Sequence, residues 1–279
     1  MPRPPARSAR IGANLAGLVI FLLCTFPVYW MVNTSLLPRR EIIAPDPTWL
    51  PLGGSLDNYR RVLSGGRFFD ALWMSLGVTV ATVAISLVFA FFAALAVTRF
   101  RFPGRMGFIV ALLLIQMIPV EGLFISQYKM LEGFHLLNTV AGLTLVYVAT
   151  VLPFTVWTLR GFVAGVPYEL EEAAMIDGCS RLQAFRKVTF PLLAPGLVAT
   201  GVFGFIQAWN EFTLAVVVMT REDKKTLPVW LAGFLDVNRG IDWGGVMAGS
   251  TLIAIPVIVF FLLVQGRMVS GLTSGAVKG

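Results

Sequence analysis

Side chains that carry chemistry are scarce in this sequence. It has one histidine, His135, and two cysteines, Cys24 and Cys179, among 279 residues. One histidine cannot build a zinc site of the His-rich kinds, and it leaves a nucleophilic serine without its usual base. Two cysteines make no disulfide framework. Cys24 lies inside an apolar run and Cys179 in a polar loop, so both are expected as free thiols. The pattern G-x-x-x-x-G-K-[ST] is missing, and no lysine follows a glycine, so the chain cannot cradle ATP phosphates by that route. Charge is also thin, at 13% of residues. These absences argue against an enzyme.

Apolar residues fill the space. They make up 57% of the chain, and the mean hydropathy is +0.79. They come in runs of about 20, the length that crosses a bilayer as a helix. The runs do not alternate as barrel strands would. The expectation is an all-α integral membrane protein with six transmembrane helices, at about 11–31, 69–97, 106–125, 138–159, 192–219 and 244–264. No internal repeat or linker divides it, so residues 1–279 read as a single transmembrane domain. The basic N-terminus followed by an apolar run resembles a signal peptide, but Pro27, Tyr29 and Trp30 end the run and no small-residue cleavage site does. An uncleaved signal-anchor is expected.

The net charge of +7 falls largely at span ends, which suits anchoring better than nucleic-acid binding. With the N-terminus inside, 12 of the 22 Lys and Arg lie inside, including the dense group Arg99, Arg101 and Arg105. Both termini are therefore expected in the cytoplasm, along with the loop that follows span 4.

That loop, at about 166–190, is the longest polar island between spans with regular helix signals. Pro167 suits a first helical position, and Glu169, Glu171 and Glu172 place negative charge where the helix dipole favours it. Gly178 suits the left-handed turn past a helix end. Ser180 and Gln183 have capping-box spacing, and Pro191 and Pro195 disfavour simple continuation of the second helix. The reading is helix, glycine turn, helix. By itself it could be a solvated connector.

The spacing adds more. Glu172-Ala173-Ala174, three residues, Gly178, nine residues, Val188, one residue, then Phe190-Pro191 resembles the EAA loop of permease subunits in binding-protein-dependent ABC importers. Val188 and Phe190 stand where that pattern usually has Ile and Leu. The resemblance implies a cytoplasmic coupling helix, in which Glu172, Ala173, Ala174, Asp177 and Gly178 dock on an ATPase subunit.

Polar residues within spans are the other clue, because lipid makes them costly. Gln207, Trp209, Asn210 and Glu211 cluster in span 5, where Gln207 and Glu211 share a helix face. An amide, an acid and an aromatic there could bind sugar hydroxyls and stack on a ring. Alternatively they bond to neighbouring helices. Gln116 and Glu121 in span 3 are further candidates. Trp209-Asn210-Glu211-Phe212, Thr226-Leu227-Pro228, Asp242-Trp243-Gly244 and the ending Gly275 to Gly279 are similar to the carbohydrate branch, the maltose-type second permease subunit. That resemblance implies import of a di- or oligosaccharide across a bacterial-type plasma membrane. It implies a second permease, two ATPase subunits that hold ATP and Mg, and an extracytoplasmic sugar-binding protein. The chain itself would hold no cofactor or metal and would not be an enzyme. Competing readings are import of a polyol phosphate, or a self-sufficient secondary transporter with Glu121 and Glu211 as a proton relay.

Overall fold

The computed structural model describes residues 7–235 and 240–276. Arg3, Lys278, residues 236–239 of the outer loop and 277–279 of the terminal motif lie outside the described residues.

Every regular element among the described residues is helical. In chain order they are α1 (Arg7–Leu36), α2 (Arg39–Ile42), α3 (Asp57–Ser64), α4 (Phe68–Arg99), α5 (Arg105–Gln116), α6 (Phe124–Gly133), α7 (Val140–Gly165), α8 (Glu169–Ile176), α9 (Arg181–Ala184), α10 (Phe190–Asn210), α11 (Thr213–Val218), α12 (Leu227–Ala232) and α13 (Trp243–Ala276). Short 3₁₀ turns and one π segment join some of them. Five stretches are long and apolar enough to cross a membrane: Gly12–Leu36, Phe68–Arg99, Val140–Gly165, Arg181–Asn210 and Trp243–Gly266. A sixth is the bent pair Arg105–Gln116 and Val120–Gly133, whose halves meet at 91°. Pro119 sits in that break, where its ring and missing N–H disfavour a continuous helix.

The chain clusters into two compact units. One comprises residues up to Phe68 with Leu231–Ile255. In it Leu15, Leu18, Phe21 and Leu22 of α1 are all more than half exposed, as lipid-facing residues would be. Asn58 of α3 is buried and donates to the carbonyls of Ser35 (2.8 Å) and Leu37 (2.9 Å), which closes the end of α1.

The other unit comprises Phe69–Trp230 and Pro256–Gly279. Its cores gather α4, α7 and α10. Ala90, Ala94, Val156, Leu159, Val163 and Leu193 form one cluster, and Val78, Leu143, Tyr147, Ala208 and Leu214 belong to another. Ser75, Thr79, Thr82 and Ser86 of α4 all face inward and are buried. Ser75 accepts the Leu227 N–H at 2.8 Å. Small residues bring α7 and α10 close together. A Cβ on Gly196 would lie 2.4 Å from Cγ of Phe162, and one on Gly204 would lie 3.5 Å from Val151.

Span 5 runs differently from the expectation at both ends. Span 5 does not start at 192. A continuous helical path runs from Arg181 to Asn210, because Phe185–Thr189 form a π turn in which the Phe190 N–H bonds to the Phe185 carbonyl. The wider turn re-spaces the ladder just ahead of Pro191, which lacks an N–H. Span 5 also does not reach 219: α10 stops at Asn210, and α11 is a separate short helix.

The Gly196–Phe162 approach sets a test. Gly196→Ala should lower stability by about 1–3 kcal/mol, since the added methyl meets the root of a ring and not a flexible tip. Thermal unfolding of the solubilised protein would register this as a lower melting temperature. An unchanged value would mean that α7 and α10 can part freely.

Candidate functional site

The polar loop is built by short-range signals. Tyr168 is the N-cap of α8, so Pro167 stands one place before the cap and not at the first helical position. Glu169, Glu171 and Glu172 fill the first turn. Gly178 has φ of 91°, and its N–H bonds to Met175 (3.1 Å) while that of Cys179 bonds to Ala174 (3.0 Å). That is a Schellman ending, which requires a left-handed residue. Ser180 and Gln183 form the capping box of α9, each side chain accepting the other's backbone N–H.

One side of α8 is anchored and the other is free. Glu171 is buried and accepts the Thr189 hydroxyl at 2.6 Å. Arg99, the last residue of α4, lies 3.7 Å from the same carboxylate oxygen. Arg99 also donates to the Val166 carbonyl at the end of α7 (3.0 Å) and lies over the Tyr168 ring. Tyr168 in turn accepts from Arg181 at 3.0 Å. One guanidinium and one carboxylate thus tie together α4, α7, α8 and the π turn. Glu172, Ala173, Asp177 and Gly178 are exposed, and Ala174 is half-buried. Leu170, Ile176 and Leu182 add large apolar side chains to the exposed face. The sequence placed Glu171 only in the acidic first turn, with no anchoring role. Two adjacent glutamates do not declare which faces inward, although Arg99 at a span end was a visible partner.

The polar residues of the spans divide. Gln116 and Gln207 line one cavity of about 290 Å³, together with Gln127, Thr150, Phe154 and Phe203. Gln207 also lines a cavity of about 110 Å³ with Tyr147 and Glu211. Pro153 removes the N–H that would bond to Ala149, and both residues line the larger cavity. Gln127 was assigned to a link between spans; the 91° bend brings it to the cavity wall.

The other span candidates have structural work. Trp209 is 1% exposed and stacks on Phe205 at 5.5 Å, so the expected single face of amide, acid and aromatic does not form. Residues two apart point to nearly opposite sides of a helix, which is why Trp209 turns from Gln207 and Glu211. Asn210 bonds to the Ile206 carbonyl of its own helix at 2.9 Å. Glu211 ends α10, and its carboxylate accepts from the N–H groups of Leu214 (2.7 Å) and Ala215 (3.0 Å) and from the Tyr147 hydroxyl (2.6 Å). Glu121 is exposed on the 3₁₀ turn Val120–Leu123. Beyond α11, Asn138 accepts the Arg221 N–H at 2.8 Å. Arg221 clamps Asp223 through two bonds and holds its carboxyl below the usual range.

The family model described as "Binding-protein-dependent transport system inner membrane component" matches residues 86–273. The chain is 47% identical over 270 residues to the diacetylchitobiose uptake system permease protein DasC of Streptomyces coelicolor, covering 97% of this chain and 98% of that one. It is 40% identical over 275 residues to the trehalose transport system permease protein SugB of Mycobacterium tuberculosis, covering 98% and 99%. Its fold is similar to a chain in the crystal structure of a bacterial ABC transporter involved in import of the acidic polysaccharide alginate. The TM-score there is 0.77 at 24% identity, over 95% of this chain and 99% of that one.

The anchoring of α8 predicts a stability effect. Glu171→Ala leaves the half-buried Arg99 without a carboxylate beside it and should cost about 3 kcal/mol. Arg99→Ala should cost a similar amount, and the double variant less than the sum. Additive losses in thermal unfolding would show that the two side chains act independently.

Proposed function

Because the chain belongs to the family of binding-protein-dependent transport system inner membrane components, we propose that it is a permease subunit through which an ABC importer moves a di- or oligosaccharide into the cytoplasm. As an inner-membrane component it is multi-pass, and it is a permease and not the ATPase. The named substrates of its relatives, diacetylchitobiose and trehalose, support a sugar over the polyol phosphate.

The observation that carries the mechanism is the split character of the loop. Its inner side is fastened through Glu171 and Arg99, while Glu172, Ala173, Asp177 and Gly178 stand outward. Such a loop can pass force from a docked protein to the helices that hold it. In this reading it faces the cytoplasm, with both termini on the same side, as the distribution of arginine and lysine favours. Two ATPase subunits, carrying ATP and Mg, dock there, one on this chain and one on a second permease. An extracytoplasmic sugar-binding protein delivers substrate on the far side, near residues 220–243. A proton relay through Glu121 and Glu211 has less support, because the Glu211 carboxylate is committed to Tyr147 and two backbone N–H groups.

Gly178 is the place to test coupling. Proline fixes φ near −65°, far from the 91° found here. Gly178→Pro should insert in the membrane normally yet lose ATP-driven sugar uptake in reconstituted vesicles; uptake at the normal rate would remove the coupling role. Glu172→Lys reverses a charge on the outward face. It should reduce the amount of ATPase subunit that co-purifies, and an undiminished yield would take Glu172 out of the docking surface.

A further inference from the structure

We infer that this subunit carries its own site for a neutral saccharide in the cavity bounded by α5, α6, α7 and α10, an inference that rests on the sugar-importer reading. Gln116 comes from α5, Gln127 from α6, Thr150 and Phe154 from α7, and Phe203 and Gln207 from α10. Four helices thus turn neutral polar groups and aromatic rings toward one space of about 290 Å³, near the lower end of small-molecule sites, which begin at about 300 Å³.

The Thr150 hydroxyl donates to the Val146 carbonyl at 3.1 Å, but not all of the hydrogen-bonding capacity there is spent. The Gln127 Oε1 atom is buried without a hydrogen-bond partner. A buried acceptor of this kind is costly until a donor reaches it. Each glutamine offers an acceptor and two donors, which matches a hydroxyl that both gives and takes a hydrogen bond. Phe154 and Phe203 stack with centroids 4.0 Å apart and planes at 29°. Such a pair makes an apolar floor against which the C–H face of a pyranose can lie, while its equatorial hydroxyls reach the amides.

The same wall selects against charge. Among the described residues, none that lines this cavity is ionisable. The ionisable groups at the adjoining cavity are Tyr147 and Glu211, joined by a hydrogen bond of 2.6 Å. A phosphate ester or uronate would lose its water there, find no cation, and lie near a carboxylate. The chemistry favours neutral glycosides and disfavours sugar phosphates and polyol phosphates.

The test is protection of an introduced thiol in the assembled importer without its binding protein. Ala149→Cys is made with Cys24→Ser and Cys179→Ser, and Ile115→Cys serves as a second position; both line the cavity and neither is assigned a hydrogen bond to the sugar. Trehalose and diacetylchitobiose are the neutral probes, and trehalose 6-phosphate is the charged one. A neutral probe at twice its dissociation constant should slow labelling about threefold, by mass action, and the phosphorylated probe should not. Equal protection by trehalose 6-phosphate would overturn the selectivity. No protection by either neutral sugar at both positions would overturn the site and leave only a packing crevice. Vesicle uptake by the unmodified importer separates the two levels. If it moves a neutral sugar on ATP while the thiols stay unprotected, the site fails and the importer reading stands. If it moves none, the importer reading itself fails.

Discussion

A chain in hydrocarbon must satisfy its own backbone, since lipid offers no hydrogen bonds. That constraint determines what the polar side chains of this protein are free to do. α4 carries no proline and runs unbroken from Phe68 to Arg99. The polar groups it buries, Thr79, Thr82 and Ser86, carry no charge. α7 and α10 contain prolines, and near each the chain adjusts: a missing bond at Ala149, a π turn ahead of Pro191. Where α10 ends, two buried N–H groups at the start of α11 need partners, and Glu211 supplies them. A carboxylate in a span reads as a functional group by its cost alone. Here backbone satisfaction accounts for that cost.

The buried carboxylate of Glu171 answers to a different requirement. Burying two charges stabilises little in net terms, because desolvation offsets attraction. Its value lies in position. Arg99 reaches the end of α7 through Val166, the carboxylate of α8, and the ring of Tyr168, so the loop cannot shift without moving α4 or breaking the pair. A connector that only joined two spans would gain nothing from that arrangement. The outward face, by contrast, has Ile176 at 86% exposure beside acidic side chains, and it is this face that the proposed docking would cover.

The loop was legible in the sequence because its signals act over three to five residues. Gly178, the Ser180–Gln183 box and the acidic first turn each specify a local geometry, and each was found in place. The apolar runs were legible for the same kind of reason, since length and composition decide a span. What failed to show depended on packing between distant segments. Pro191 and Pro195 were read as disfavouring a simple continuation, and nothing local announced that the helix would go on through a π turn. Gln127 looked like a linker residue because nothing local announces that a 91° bend returns it toward α7 and α10. Trp209 looked like a sugar platform, and the core claimed it.

The loop and the cavity are joined by one element. From the Ser180 cap through the π turn to Asn210 the chain is continuous helix, and its stretch Arg181–Asn210 numbers 30 residues, or about 45 Å at 1.5 Å per residue. Ser180 and Gln183 stand at one end beside the exposed face of α8, and Phe203 and Gln207 stand near the other on the cavity wall. A rod of this kind converts a tilt at its first turn into a displacement at its last. The π turn at Phe185–Thr189 is the point of least regular bonding, and Thr189 in that turn is the residue that grips Glu171. α8 is tied to this helix at Thr189, while α7, held at Val166 by Arg99, supplies the opposing wall with Thr150 and Phe154. In the proposed importer, a tilt of this helix would change the width of the cavity without unfolding any span, so that an ATP-driven step could release a bound sugar and keep its site.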